Sequence, residues 1–177
     1  MNELGQIAFQ DNGIVLSNPD GTFRRIVDSN NGAFAVFDPS LNLLGRVAFT
    51  GFTFVGDPQL QGVFTSRGGA VTTVADNTGR YSSFGEPSLN DLNDIAFTAT
   101  LDEFMPNGFQ IQGVYTGSNP VRDKVLQSGD TYQGVPVSSV FTCSEGLNNL
   151  GQIVMTVQSE NPDTFETRTF IVRATPR

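Results

Sequence analysis

Carboxylates are the side chains left to do acid–base chemistry in this sequence, because it contains no histidine. Without imidazole there is no Ser/His/Asp or Cys/His relay, no usual general base near neutral pH and none of the commonest zinc ligand. The enzyme reading that survives is a carboxylate-dependent glycosidase or lyase, with one acid and one nucleophile or base. Asp102 and Glu103 form the closest pair, yet adjacent residues on a strand point to opposite faces, and in a loop they are ordinary solvated charge. No tryptophan is present to stack on a sugar ring. The residues therefore nominate no catalytic group.

Asp91, Asn93 and Asp94 cluster within one turn and are candidate calcium ligands, since a hard cation collects several such oxygens. The EF-hand spacing fails. Counted from Asp91, the glycine position holds Ala96 and the closing glutamate position holds Asp102. Asp11-Asn12-Gly13 and Asp76-Asn77 read first as turn formers. Arg67-Gly68-Gly69 lacks the Gly-Lys-Ser/Thr ending of a phosphate loop and reads as a hairpin turn. Cys143 has no second cysteine to pair with and is expected to be a small buried apolar residue.

The elements that must position these groups are set by an internal repeat. Asn2-Glu3-Leu4-Gly5-Gln6-Ile7-Ala8-Phe9 is echoed by Asn42-Leu43-Leu44-Gly45-Arg46-Val47-Ala48-Phe49 and by Asn90-Asp91-Leu92-Asn93-Asp94-Ile95-Ala96-Phe97. The fourth copy is Asn148-Asn149-Leu150-Gly151-Gln152-Ile153-Val154-Met155. The copies stand roughly 40 to 60 residues apart, the length of one supersecondary unit with variable loops. The implied units are 1–32, 33–82, 83–137 and 138–177, one repeat domain.

Each motif is followed by a second apolar segment: Gly13-Ile14-Val15-Leu16, Gly62-Val63-Phe64-Thr65, Gly113-Val114-Tyr115-Thr116 and Thr169-Phe170-Ile171-Val172. A third follows in the first three units, at Arg25-Ile26-Val27-Asp28, Thr73-Val74-Ala75-Asp76 and Lys124-Val125-Leu126-Gln127. A fourth precedes each later motif. Read as strands separated by Gly, Asn, Asp and Pro clusters, they give three or four per unit.

The motif asparagines, Asn2, Asn42, Asn90 and Asn148, are suited to close an Asx-turn, and Gly5, Gly45 and Gly151 to supply positive φ after it. Asn93 replaces glycine in the third copy, and asparagine is the residue that next best tolerates the left-handed region. The strand that follows is apolar at consecutive positions, which predicts burial of both faces, Ala on one and Phe on the other. Sheets stacked face to face meet that requirement. The expectation is an all-β repeat architecture, β-propeller-like, with about four blades of three to four antiparallel strands. A β-sandwich is the alternative, though it does not require repeated sequence.

The four Asn-x-x-Gly-x-x-Ala-Phe copies resemble the bacterial, notably cyanobacterial, choice-of-anchor tandem repeat NxxGxxAF-containing proteins. They are similar, more loosely, to TolB-type β-propeller repeats, in which a Ser-Pro-Asp-Gly turn precedes an Ile-Ala-Phe strand. The similarity covers nearly the whole chain, with departures at Asn93 and at Val154-Met155. It implies an extracellular or cell-surface protein, and the closing Ala174-Thr175-Pro176 resembles the passage into an anchor. It carries no catalytic residues.

With 18 acidic and 10 basic residues the formal net charge is −8, which opposes nucleic acid and anionic membranes. No apolar run approaches a membrane span, and no signal peptide or anchor is read in the chain. The function these features favour is a non-catalytic binding or interaction module that engages a protein or glycan through loops at 102–110 and 128–137. A structural unit of a larger surface protein is a further alternative. No cofactor is expected, calcium excepted. The first unit lacks its leading strand and the last its final strand, so either a compact four-bladed ring with two short blades or self-association through the end units is expected.

Overall fold

A computed structural model of the chain describes residues 1–29, 34–53, 59–160 and 166–175. Pro176 and the 32/33 unit boundary lie outside the described residues. The first sheet holds β1 (Ile7–Gln10), β2 (Gly13–Ser17) and β3 (Phe23–Asp28). The second holds β4 (Phe34–Leu41), β5 (Val47–Thr53), β6 (Gln61–Ser66) and β7 (Thr72–Asp76). The third holds β8 (Tyr81–Leu89), β9 (Ile95–Phe104), β10 (Gln110–Tyr115) and β11 (Lys124–Gln127). In the fourth, the two-residue β12 (Thr131–Tyr132) precedes β13 (Val135–Phe141), β14 (Ile153–Glu160) and β15 (Thr167–Ala174).

Every pairing joins sequence neighbours in antiparallel register, and the described residues contain no helix. The fold is all-β, built of four blade-like sheets. The apolar segments of the repeat are the strands, and β12 is one more than the repeat itself announces.

The sheets pack in chain order through three cores. Ile14, Leu16, Ile26 and Val27 of the first sheet meet Val36, Val47, Phe49 and Phe64 of the second. Val63 and Ala75 meet Tyr81, Phe97, Ala99, Leu101 and Tyr115 of the third. Ala96 and Val114 then meet Val137, Val140, Ile153, Met155 and Val157 of the fourth. Among the described residues no such cluster joins the fourth sheet to the first.

This order gives each sheet a back face, toward the preceding unit, and a forward face. Phe49 and Phe97 point back and Ala96 points forward, as the alternation of a pleated strand requires. In the motif strand, consecutive burial is therefore a property of the middle units: Val47, Ala48 and Phe49 are each 0% exposed, and Ala96 and Phe97 likewise. In the end units it fails. Phe9, expected in the core, is 36% exposed because no described sheet covers that face of β1, and Ala8 is only partly buried. β14 alternates buried and exposed residues, with Val154 on the open side.

Candidate binding surfaces

The motif turns lie at one end of the stack, between the strands β4/β5, β8/β9 and β13/β14 and just before β1. In every copy the asparagine Oδ1 accepts the backbone N–H two and four residues on, at Leu4 and Gln6, Leu44 and Arg46, Leu92 and Asp94, and Leu150 and Gln152. Gly5, Gly45 and Gly151 have φ of 73°, 72° and 72°, and Asn93 matches them at 69°. The Asx-turn and the left-handed residue that ends it are thus one local device, repeated four times.

The same amides join the units. Asn2 Nδ2 donates to Asn42 O, Asn42 Nδ2 to Asn90 O and Asn90 Nδ2 to Asn148 O, each at 3.0 Å. The second amide hydrogen goes four residues ahead, to Gln6 Oε1, Asp94 Oδ2 and Gln152 Oε1 in the first, third and fourth copies. Arg46 holds that place in the second copy and has no acceptor to offer. Asn42 donates instead to Asn93 Oδ1 at 3.2 Å. The side chain that departs from the motif in the third copy so compensates for the missing acceptor at Arg46 in the second.

A parallel thread runs one residue on: Leu43 N donates to Asp91 Oδ1, and Asp91 N to Asn149 Oδ1. Two buried serines tie the units again, Ser40 Oγ accepting from Leu89 N and Ser88 Oγ from Leu147 N. The calcium candidates Asp91, Asn93 and Asp94 are engaged in these threads. Among the described residues no group of three or more His, Cys, Asp or Glu side chains is placed to hold a metal ion.

Beside these turns an open groove of about 610 Å³ runs between the third and fourth sheets, lined by Leu92, Asp94, Ile95, Asn149, Leu150 and Ile153 among others. The leucine before the left-handed residue is exposed in every copy, at Leu4, Leu44, Leu92 and Leu150.

The opposite end carries the β9–β10 hairpin. Its turn, Met105-Pro106-Asn107-Gly108, has proline and asparagine at the central positions and closes by Gly108 N donating to Met105 O at 2.9 Å. Phe104 and Phe109 flank it, 64% and 71% exposed. The second loop expected to vary lies alongside, since a Cβ placed on Gly129 would stand 3.9 Å from Met105 Sδ. Two exposed phenylalanines at a hairpin tip are a surface no interior demands.

A family of unknown function, DUF7453, matches residues 1–172. The chain belongs to this family. No curated protein and no solved structure matches it.

The remaining reactive groups of this DUF7453 chain are spread over it. Glu103 is held by Arg80, whose Nε donates to Glu103 Oε1 at 2.6 Å, and Asp102 is exposed. Cys143, expected to be buried, is exposed because it follows the last residue of β13 into the loop before the fourth motif. Tyr81 and Tyr115 sit in the core between the second and third sheets, and desolvation pushes both phenols well above their usual range. Tyr81 Oη donates to Gly117 O and Tyr115 Oη to Gln127 Oε1.

Sequence reasoning pointed to the hairpin loop but not to its phenylalanines, because phenylalanine recurs elsewhere in the chain as core. The signal available was position: Phe104 and Phe109 fall outside the repeat. The serine rungs had no signal, as a serine before a motif leucine looks like any turn residue.

Proposed function

We propose that this chain is a non-catalytic interaction module that binds a protein partner at the hairpin end of its third sheet. The observation that carries this reading is the exposure of Phe104 and Phe109 on the turn of the β9–β10 hairpin, beside the 128–134 loop. Aromatic anchors contribute most of the energy at protein interfaces, and a rigid sheet holds them at little entropic cost. The partner surface is neutral or basic, complementing the −8 charge of the chain. The resemblance noted above implies such a module at the cell surface or outside the cell.

The test is a comparative capture from the native source with immobilised wild-type chain and a Phe104→Ser/Phe109→Ser double variant. Proteins retained by the first and lost by the second, with circular dichroism unchanged, are the expected result. Identical captured sets refute the reading.

A further inference from the structure

An asparagine followed by glycine carries its own chemistry. The glycine nitrogen can attack the asparagine side-chain carbon to close a five-membered ring, and glycine has no side chain to crowd the approach. The sequence holds three such pairs, at 12–13, 31–32 and 107–108, of which the second lies outside the described residues.

The structure separates the other two. Asn12 O accepts from Ser29 N and from Arg25 Nη1, each at 2.9 Å, and Gly13 is a buried strand residue paired with Asp28. That peptide group is clamped and cannot swing its nitrogen toward the side chain. Asn107 and Gly108 stand exposed at the tip of the β9–β10 hairpin, where Asn107 O and Nδ2 have no partner among the described residues. The place a Cβ would take on Gly108 has no atom within 4 Å. Asn107 Oδ1 accepts from Phe109 N at 3.2 Å, which turns the side-chain carbonyl forward along the chain and polarises it.

Other asparagines make the same Asx-turn without the same opportunity. The motif asparagines are followed by residues with side chains, and each spends Nδ2 on another group. Asn119 is followed by Pro120, which has no N–H to give up.

We propose that Asn107 is a self-modifying site, converted without an enzyme to isoaspartate and aspartate through a succinimide. Gly108 N releases its turn bond to Met105 O and gives its proton to hydroxide, and its electron pair forms the bond to Asn107 Cγ. The Phe109 N–H donates to the oxygen on which negative charge then gathers. Nδ2 takes up a proton and leaves as ammonia, which closes the ring. Water adds to one of the two ring carbonyls and reopens it, so one water is consumed, one ammonia is released and nothing is oxidised or reduced. Isoaspartate lengthens the backbone by one carbon and sets a carboxylate between Phe104 and Phe109, one unit beyond the net charge of −8. Resting on the partner-binding reading above, this makes the hairpin a clock, because an aged chain presents its two rings out of register and binds less tightly than a fresh one.

The test is peptide mapping by mass spectrometry of the folded full chain, incubated in mildly acidic and mildly alkaline buffer made with ¹⁸O-labelled water. Trypsin, cutting after Arg24, Arg80 and Arg122, places Asn12 in 1–24 and Asn107 in 81–122, and fragmentation locates the change within each. Asn107 is expected to lose ammonia and gain one labelled oxygen, several-fold faster in the alkaline buffer, with isoaspartate exceeding aspartate as ring opening requires. Asn12 is expected to stay intact while the chain is folded and to react once urea unfolds it. Asn107→Gln, which would have to close a larger ring, stays unmodified over the same period. An unchanged Asn107, aspartate as its sole product, or equal conversion of Asn12 in the folded chain overturns the proposal. No partner enters the measurement, so this proposal and the partner-binding reading fail independently.

Discussion

Asn42 donates through Nδ2 to the carbonyl oxygen of Asn90 at 3.0 Å, across 48 residues of chain, and both residues are nearly inaccessible to solvent. Asn42 makes four hydrogen bonds: Oδ1 accepts from Leu44 and Arg46, and Nδ2 donates to Asn90 O and Asn93 Oδ1. Asn42→Ala leaves buried backbone groups without partners, each costing about 1 to 3 kcal/mol, so a loss of roughly 3 kcal/mol or more is expected in urea unfolding. Asn148→Ala, at the exposed end of the ladder, costs about 1 kcal/mol. Equal losses at the two sites would show that the ladder adds nothing to the turn.

Gly45 has φ of 72°, and a Cβ there would meet nothing nearer than the end of the Arg24 side chain, at 3.6 Å. The cost of substitution is therefore conformational. Gly45→Val should lose more than about 1 kcal/mol through a β-branched residue in the left-handed region. Gly45→Asn should lose less, as Asn93 already occupies the equivalent place. Urea midpoints in the reverse order would contradict this account of the motif.

Phe49 and Phe9 hold the same motif position but differ in what lies behind them. Phe49 stacks on Phe64, its cross-strand partner, at 5.7 Å between ring centroids. Phe49→Ala is expected to cost roughly 3 to 5 kcal/mol, the usual value for a core aromatic. Phe9→Ala should cost about 1 kcal/mol in the isolated chain, since the ring is already partly in water. Denaturant titration of the two variants measures the difference.

Raised phenol pKa values at Tyr81 and Tyr115 link stability to alkaline pH. The buried neutral form is favoured in the folded state, while the unfolded phenols ionise near 10. Stability from this source is complete below pH of about 10 and falls as the pH climbs beyond it. Two of the three tyrosines should yield phenolate absorbance only as the sheets unfold, in step with the loss of circular dichroism. Phenolate signal from Tyr81 or Tyr115 in a still folded chain, assigned with Tyr81→Phe and Tyr115→Phe, would contradict their burial.

The turns and strands were legible in the residues themselves because their causes are local. An asparagine closes onto its own backbone within four residues, a left-handed position accepts Gly or Asn, and consecutive apolar residues mark a strand covered twice. Cys143 and Phe9 show where that legibility stops: each has the composition of a core residue, and each lies where the stack supplies no neighbour.

What the sequence by itself determined is the unit: four copies of one turn and its strands, with Ala and Phe alternating across the pleat in three of them and Val154 and Met155 in the fourth. Only the tertiary structure decided how the units meet. It paired Asn42 with Asn90, set Asn93 against the hydrogen that Arg46 cannot accept, covered Phe49 and Phe97, and left Phe9 and Val154 open. Hydrogen bonds and burial between units depend on what each face is set against, and repeated residues are alike in sequence whether a neighbour covers them or not.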